Sequence, residues 1–331
     1  MIFVITNKED THPTPVINYL IDRNIFIFRF NTEALLTDYQ FKWWCNEKGT
    51  DFQITNTING LEIQGSKITA IWDRRPTQPA ALLFENTEEE INKHNLEEAH
   101  GFLSFLRYYL SDIFSIGSII YDRVSASKML QLKVAKELGM KVPATCFSNK
   151  KNDILDFAKN FEYITLKPID NGNVYIGDDL EYLFYSQKVN SKSLIDLPDE
   201  SFSQTVNFVQ NYVDKLYELR VTVVCDNIFA CRIDSQCLDE DKGKVDWRQG
   251  YDYGLKHEIY NLPTSVSEFC LKFLKKLKLN FGCFDFIVTP QKEYVFLECN
   301  PNGQWLWIEN ETGMKISEAI ANSLIRGNKN N

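Results

Sequence analysis

Residues 282–303 read GCFDFIVTPQKEYVFLECNPNG. Two alternating runs, CFDFIVT and YVFLECN, flank a Thr-Pro-Gln-Lys-Glu turn, which is the pattern of a β-hairpin. A symmetric hairpin centred between Gln291 and Lys292 pairs Asp285 with Glu298 on one face of the sheet. Like charges directly opposite destabilise a ladder unless a cation sits between them. Magnesium suits the position, since it favours one or two carboxylates together with the phosphates of a nucleotide. Asn300, two residues past Glu298, shares that face and adds an oxygen. Read by itself, the spacing fits a surface hairpin with incidental acids equally well.

The rest of the chain narrows the class. It has 331 residues, enough for two or three cores, and is 44% hydrophobic and 24% charged, as soluble globular proteins are. The net charge of −9 argues against general nucleic-acid binding but not against a locally basic cleft. The start, MIFVITNKEDTHP, lacks a basic n-region, so no secretory signal is expected, and no apolar run has the length of a membrane span. The eight cysteines include no CxxC pair, which points to buried free thiols in a reducing cytoplasm. The four histidines, His12, His94, His100 and His257, show no ligand or triad spacing and read as structural or exposed.

Along the chain, a strand at Ile2–Thr6, a helix to about Arg23 and a strand at Ile25–Phe30 form a βαβ unit. Short antiparallel strands are expected between Phe41 and Ile71. Ala70-Ile71-Trp72 then leads into Asp73-Arg74-Arg75-Pro76, where two arginines at a sheet edge serve either a solvated loop or an anion clamp. A long amphipathic helix over 87–115 precedes a short strand at Ile119–Tyr121. Ser125 or Ser127 caps the next helix. Further strands are expected near 144–147, 162–167, 174–176, 206–212, 218–225 and 228–235, with helices near 151–160, 264–278 and 314–326.

Several of these elements carry chemistry. Lys167 ends a hydrophobic strand; a lysine emerging there gains from a nearby anion, although by itself it reads equally as an exposed strand-end lysine. The polar segment 169–177 holds two glycines able to fold amides over a phosphate. No Walker A or GxGxxG motif occurs. Phe208–Val213 is an apolar strand entering a polar stretch, suited to an adenine edge. By alternation Glu218 and Arg220 share a face with Thr222 while Leu219, Val221 and Val223 face a core. Arg232 and Asp234 share a face on the following strand, giving either a polar groove or a solvent-exposed sheet.

Taken in order, Lys128, Lys167, the 169–177 loop, the hinge Gln210–Val213 and Asp285…Glu298-Cys299-Asn300 resemble the ATP-grasp superfamily. Four further stretches are similar to the graspetide, or microviridin-type, peptide macrocyclases. These are Trp72–Pro76, Tyr217–Val224, Arg232–Gln236 with Asp246-Trp247-Arg248, and Asn300-Pro301-Asn302-Gly303-Gln304-Trp305.

The resemblance implies an α/β ATP-grasp fold in three parts. Residues 1–118 would form a pre-grasp domain, 119–205 a central subdomain and 206–327 a C-terminal subdomain bearing the metal hairpin. ATP would sit between the last two. Lys128, Lys167, Gln210, Tyr212, Val213 and Glu218 would bind it, and Asp285, Glu298 and Asn300 would hold magnesium, as two ions. Arg220, Arg232 and Asp234 would act on the substrate, with Arg74, Arg75 and Asn302 as weaker substrate contacts. The partner would be a ribosomally made precursor peptide with a leader and a Thr/Ser/Asp/Glu-rich core. A homodimer in the cytoplasm, with no nucleic acid or membrane involved, completes the expectation. The reaction would join an Asp or Glu side chain to a Ser or Thr hydroxyl, or to a Lys amine. The rival reading is an ATP-grasp ligase of the glutathione synthetase or ribosomal-protein glutamate ligase type.

Overall fold

The computed structural model describes residues 1–47, 49–80, 88–170, 173–176, 180–238 and 241–327. The chain begins with β1 (Ile2–Thr6), α1 (Pro13–Ile21) and β2 (Ile27–Asn31). It continues through α2 (Leu35–Asp38), β3 (Tyr39–Asn46), β4 (Gly49–Asn56), β5 (Glu62–Gln64), β6 (Ala70–Asp73), α3 (Glu89–Tyr109) and β7 (Ser115–Ile116). Strands β2-β1-β6-β7 form a parallel sheet, and β3-β4-β5 a separate antiparallel one. The parallel strand β1 is buried at every residue, as strands covered on both faces are.

Next come α4 (Ile119–Ser125), α5 (Lys128–Glu137), β8 (Thr145–Ser148), α6 (Lys151–Ala158) and β9 (Tyr163–Lys167). The short hairpin β10 (Asn173–Ile176) and β11 (Leu180–Leu183) follows, then β12 (Gln187–Asn190), α7 (Glu200–Ser203) and β13 (Asn207–Asn211). Ile119–Tyr121, expected as a strand, is helical, because Ser118 caps the turn by accepting from the Tyr121 amide. Ser127 caps α5 in the same way, through the Leu130 amide. Strands β12-β9-β13-β8 make an antiparallel sheet. A boundary at 205/206 would cut β13 from that sheet, since β13 pairs with both β8 and β9. Its Ile164 and Val209 pack against Ile154 and Ala158 of α6 and Phe202 of α7.

The last third holds β14 (Tyr217–Val224), β15 (Asn227–Ile233), α8 (Asp241–Val245), β16 (His257–Ile259), α9 (Thr264–Leu277), β17 (Phe281–Val288) and β18 (Tyr294–Asn300). Helices α10 (Leu306–Thr312) and α11 (Ile316–Gly327) close it. Only the second was expected. The antiparallel order is β16-β15-β14-β17-β18. One face buries Phe284, Phe286 and Phe296 against Phe269 and Phe273 of α9. On the other, part of a second core joins Val224, Cys231 and Ile233 to Val4, Trp72, Trp305 and Ile320, so the first and last thirds share a core. Among the described residues no helix is long and apolar enough to cross a membrane.

Candidate active site

The hairpin β17–β18 is built differently from the symmetric one expected, yet it delivers the same pair. Near the turn Val288 pairs with Tyr294 and Phe286 with Phe296; a bulge then intervenes, and Asp285 pairs with Glu298. Unbroken alternation from Phe296 would send Glu298 into the phenylalanine core. The extra residue, Leu297, reverses the phase, so that Phe296 and Cys299 both lie in that core while Glu298 turns to the opposite face. Bulges that re-aim a side chain beside a site are a recurrent device.

Asp285 is flanked on its other side by Arg220 of β14, whose Nη1 donates to Oδ2 at 2.7 Å. Burial pushes the Asp285 carboxyl up against the pull of Arg220, and its Oδ1 is buried with no hydrogen-bond partner. Burial alone would lower Arg220, but Asp285 outweighs it and raises the guanidinium. The Glu298 carboxylate, about a third exposed, pairs with Lys128, the first residue of α5. Burial opposes its ionisation, yet Lys128 and Lys167 outweigh that and hold it down to about 2.

Lys167 arrives from the other sheet. It shares a face of the β12-β9-β13-β8 sheet with Thr165, Phe208 and Gln210. Burial lowers its pKa, while the charge of Glu298 raises it and that of Lys128 lowers it further, so the working faces of the two sheets meet here. Gln210 is buried and donates to the Thr145 hydroxyl at 3.0 Å. Tyr212 follows β13 with its amide on the Tyr163 carbonyl, and the Lys188 ammonium lies 3.9 Å from its ring centroid. Val213 lines a small cavity with Lys141, Pro143 and Val295. The expected phosphate loop falls partly outside the described residues, at Asn171, Gly172 and Gly177.

Glu218 shares the Arg220 face and is buried, which raises its pKa although Lys215 and Ser235 both donate to its Oε1, at 3.0 and 2.8 Å. Sequence reasoning singled out neither of those partners. Nor did it give a role to Asp246 and Arg248, which form a bidentate pair at 2.8 and 2.6 Å. Asp246 also accepts from the Ser186 amide at 3.1 Å, and the charges of Glu298 and Asp285 help raise Arg248. The Asp-Trp-Arg order was the available signal, because aspartate at the start of a helical turn bonds residues just ahead of it.

Arg232 with Asp234, Arg74 with Asn302, and Arg75 are not brought to this centre, whereas Asn300 shares the Glu298 face of β18. Arg232 pairs with Leu219, and directly opposed residues share a face, so it lies on the side of the sheet away from Arg220. There it stacks 4.3 Å from the Tyr217 ring centroid and binds Asp234 at 2.8 Å. Arg74 is 1% exposed, and its Nη1 donates to the Asn302 carbonyl and side chain at 2.7 and 2.8 Å. Asn302 in turn donates to the Asp73 carbonyl, so both act within the protein. Arg75 is exposed, with a left-handed φ of 48°. Asn300 is exposed at the end of β18, its Oδ1 accepting from the Asn302 amide at 3.0 Å.

Residues 125–324 match the RimK-like ATP-grasp domain. The whole chain is similar to the macrocyclase MdnC from Microcystis aeruginosa MRC, solved bound with the precursor peptide MdnA. Identity is 27%, the TM-score is 0.85, and 98% of this chain and 99% of that one are covered. MdnB from the same organism, also a macrocyclase, is 25% identical with a TM-score of 0.77 and 98% of each chain covered. A RiPP-associated ATP-grasp ligase from Chryseobacterium gregarium, solved with ADP and a leader and core peptide, shares the fold. Its TM-score is 0.90 at 24% identity, with 98% of this chain and 96% of that one covered. No curated protein matches. The chain belongs to the RimK-like ATP-grasp family and is an ATP-grasp ligase.

Proposed function

We propose that this ligase macrocyclises a ribosomally made precursor peptide, using ATP to join an Asp or Glu side chain to a Ser or Thr hydroxyl. The observation that carries the reading is the whole-chain likeness to MdnC, which includes the N-terminal third that the RimK-like match leaves out. A peptide carboxylate oxygen attacks the γ-phosphorus of ATP and ADP leaves. The hydroxyl oxygen then attacks the acyl carbon, loses its proton to solvent or a nearby base, and phosphate departs. Each ring therefore costs the peptide one water.

The residues present suit magnesium. Asp285 keeps one buried oxygen unpartnered, Glu298 is partly open, and Asn300 is exposed beside them. We assign these three to two magnesium ions, which when bound would neutralise charge on the transferring phosphoryl group. Lys128 and Lys167 would exchange Glu298 for phosphate oxygens. Gln210, Tyr212 and Val213 would border the adenine, and Glu218, with Lys215 beside it, the ribose. Arg220 would orient the peptide carboxylate, a task for a planar bidentate donor. Rate enhancement would rest on positioning and fixed charge. The centre needs neither Arg232 nor Asp234. Arg248 stands nearer to the acidic pair in electrostatic terms.

The test is co-expression with a precursor encoded beside the gene, read by mass spectrometry. Loss of one water per ring, together with ADP formation only when the precursor is present, is the expected result. Ligation of free glutamate or another amino acid to a carboxylate, with no ring formed, would instead establish the rival ligase reading. Resistance of the new bond to mild base would mean an amide from Lys in place of an ester.

A further inference from the structure

Three residues of the N-terminal third converge on the segment that follows the metal hairpin. Asp10 and His12 lie between β1 and α1, and Arg74 follows β6. The Asp10 carboxylate accepts from the His12 amide at 3.0 Å and stands 2.9 Å from its Nδ1. The far side of the same imidazole accepts from the Trp305 amide, Nε2 to N at 3.3 Å. This fixes the tautomer: Nδ1 carries the proton toward Asp10, and Nε2 is the acceptor. Trp305 is fully buried, its ring edge-on to His12 with centroids 5.3 Å apart.

Arg74 Nε lies 3.2 Å from the other Asp10 oxygen, and its Nη1 reaches the Asn302 carbonyl, the Asn302 side chain and, at 3.3 Å, the Gly303 carbonyl. Holding a guanidinium at 1% exposure is costly; the ion pair with Asp10 offsets its charge, Nη1 carries the hydrogen bonds, and Nε and Nη2 make none. The segment it grips has two further attachments. Asn302 and Gly303 donate their amides to the side chain and carbonyl of Asn300, and the Gln304 carbonyl receives Arg220 Nη2 at 3.3 Å.

We infer that Asp10, His12 and Arg74 form a positioning clamp that holds the 300–305 segment, and through it sets Asn300 for magnesium and Arg220 for the peptide carboxylate. The clamp rests on the proposed reading of Asn300 and Arg220. It makes the N-terminal third part of the catalytic geometry. Outer groups that orient metal ligands typically change metal affinity 10–100-fold when removed.

The experiment compares the full-length wild type with His12→Ala, His12→Gln and Arg74→Lys. Glutamine at position 12 keeps an acceptor for the Trp305 amide, while lysine at 74 keeps the charge and loses the fork. His12→Ala and Arg74→Lys are expected to raise the magnesium concentration for half-maximal ADP formation about tenfold. ADP binding without magnesium should be unchanged, and His12→Gln should recover most of the loss. Amide hydrogen exchange, measured with no ligand, should quicken in a peptide spanning 299–308 and stay at wild-type rates in β9 and β13. Wild-type exchange there and an unshifted magnesium requirement in both variants would overturn the clamp. So would exchange quickened uniformly over the chain in Arg74→Lys, the milder change, which also decides the matter if His12→Ala does not fold. Failure of the wild type to form rings would instead overturn the proposed function, and the exchange measurement still reads the clamp.

Discussion

The two faces of the β16-β15-β14-β17-β18 sheet use the same strands for different ends. On one face Phe284, Phe286 and Phe296 interlock with Phe269 and Phe273 of α9. On the other, Glu218, Arg220, Asp285 and Glu298 crowd charges into a largely buried space. The first arrangement is what hydrophobic burial favours unaided. The second sets Asp285 opposite Glu298, an arrangement disfavoured without cations beside it, and here Arg220 and Lys128 provide them. The charged face also joins the shared core at Val224, Cys231 and Ile233, but the chemistry lies on that face alone, so substitutions in the aromatic core should spare it.

The largest expected effect lies on the aromatic face. Phe273→Ala deletes a fully buried ring and should cost about 3–5 kcal/mol of unfolding free energy. Turnover per folded molecule should stay near wild type at low temperature. Denaturant unfolding beside steady-state kinetics checks this. A selective collapse of turnover in protein that is still folded would break the separation of faces.

Asp285→Asn, on the charged face, should do the reverse. Turnover should fall about 10²–10³-fold, the range for losing one preorganised charged contact at the reacting group. Folding should persist, because the aromatic core is untouched, although Arg220 loses its charged partner and some stability goes with it. Circular dichroism together with ADP release measures both, and unchanged turnover would remove Asp285 from the metal assignment.

How much of this was legible in sequence follows from the same contrast. Alternation in β14 gave the facing of Glu218, Arg220 and Thr222, because a strand's side-chain period is strict. Alternation put Arg232 and Asp234 on one face but left open whether that face was a polar groove or a solvent-exposed sheet, and it was the resemblance that drew them to the substrate. Which face a strand shows is fixed by its cross-strand register, and the pairing of Leu219 with Arg232 is not written in either strand alone. For the hairpin the pairing of Asp285 with Glu298 was right for the wrong reason, since a bulge at Leu297 produces it and not a symmetric turn. Ser235 went unassigned because its partner, Glu218, lies on another strand, while Lys215 with Glu218 and Asp246 with Arg248 are local pairs whose spacing was available and was not used. Arg74 read as part of either a solvated loop or an anion clamp, because sequence cannot show that a carbonyl 228 residues away claims it.

A pH series sharpens the contrast further. Glu298 is held to about 2 because Lys128 and Lys167 outweigh its burial, whereas an unfolded chain titrates it near the ordinary value of 4.5. A lowered folded pKa gives stability that is present above the unfolded value and is lost as pH falls through the folded one. Without nucleotide, the thermal midpoint of Glu298→Gln should therefore lie below wild type at pH 6, and the gap should close toward pH 3. A gap that does not change with pH would mean that the lysines do not hold this carboxylate.

The smallest effects come from two glycines that test the faces against each other. A methyl at Gly282 would sit 2.7 Å from Cys299 Sγ and 2.8 Å from Leu274 Cδ2, inside the aromatic core. A methyl at Gly303 would sit 2.5 Å from Cys283 Cβ and 2.8 Å from Arg220 Nη2. Neither glycine has a positive φ, so the strain in both cases is steric. Each alanine should cost about 1–3 kcal/mol by overpacking. Only Gly303→Ala should also lower turnover, because Arg220 is one of the two neighbours, with Cys283, that must move, and the effect should appear in kcat more than in the KM for ATP. Equal loss of turnover in Gly282→Ala would show that the sheet transmits strain between its faces, and the division into a folding face and a working face would then fail.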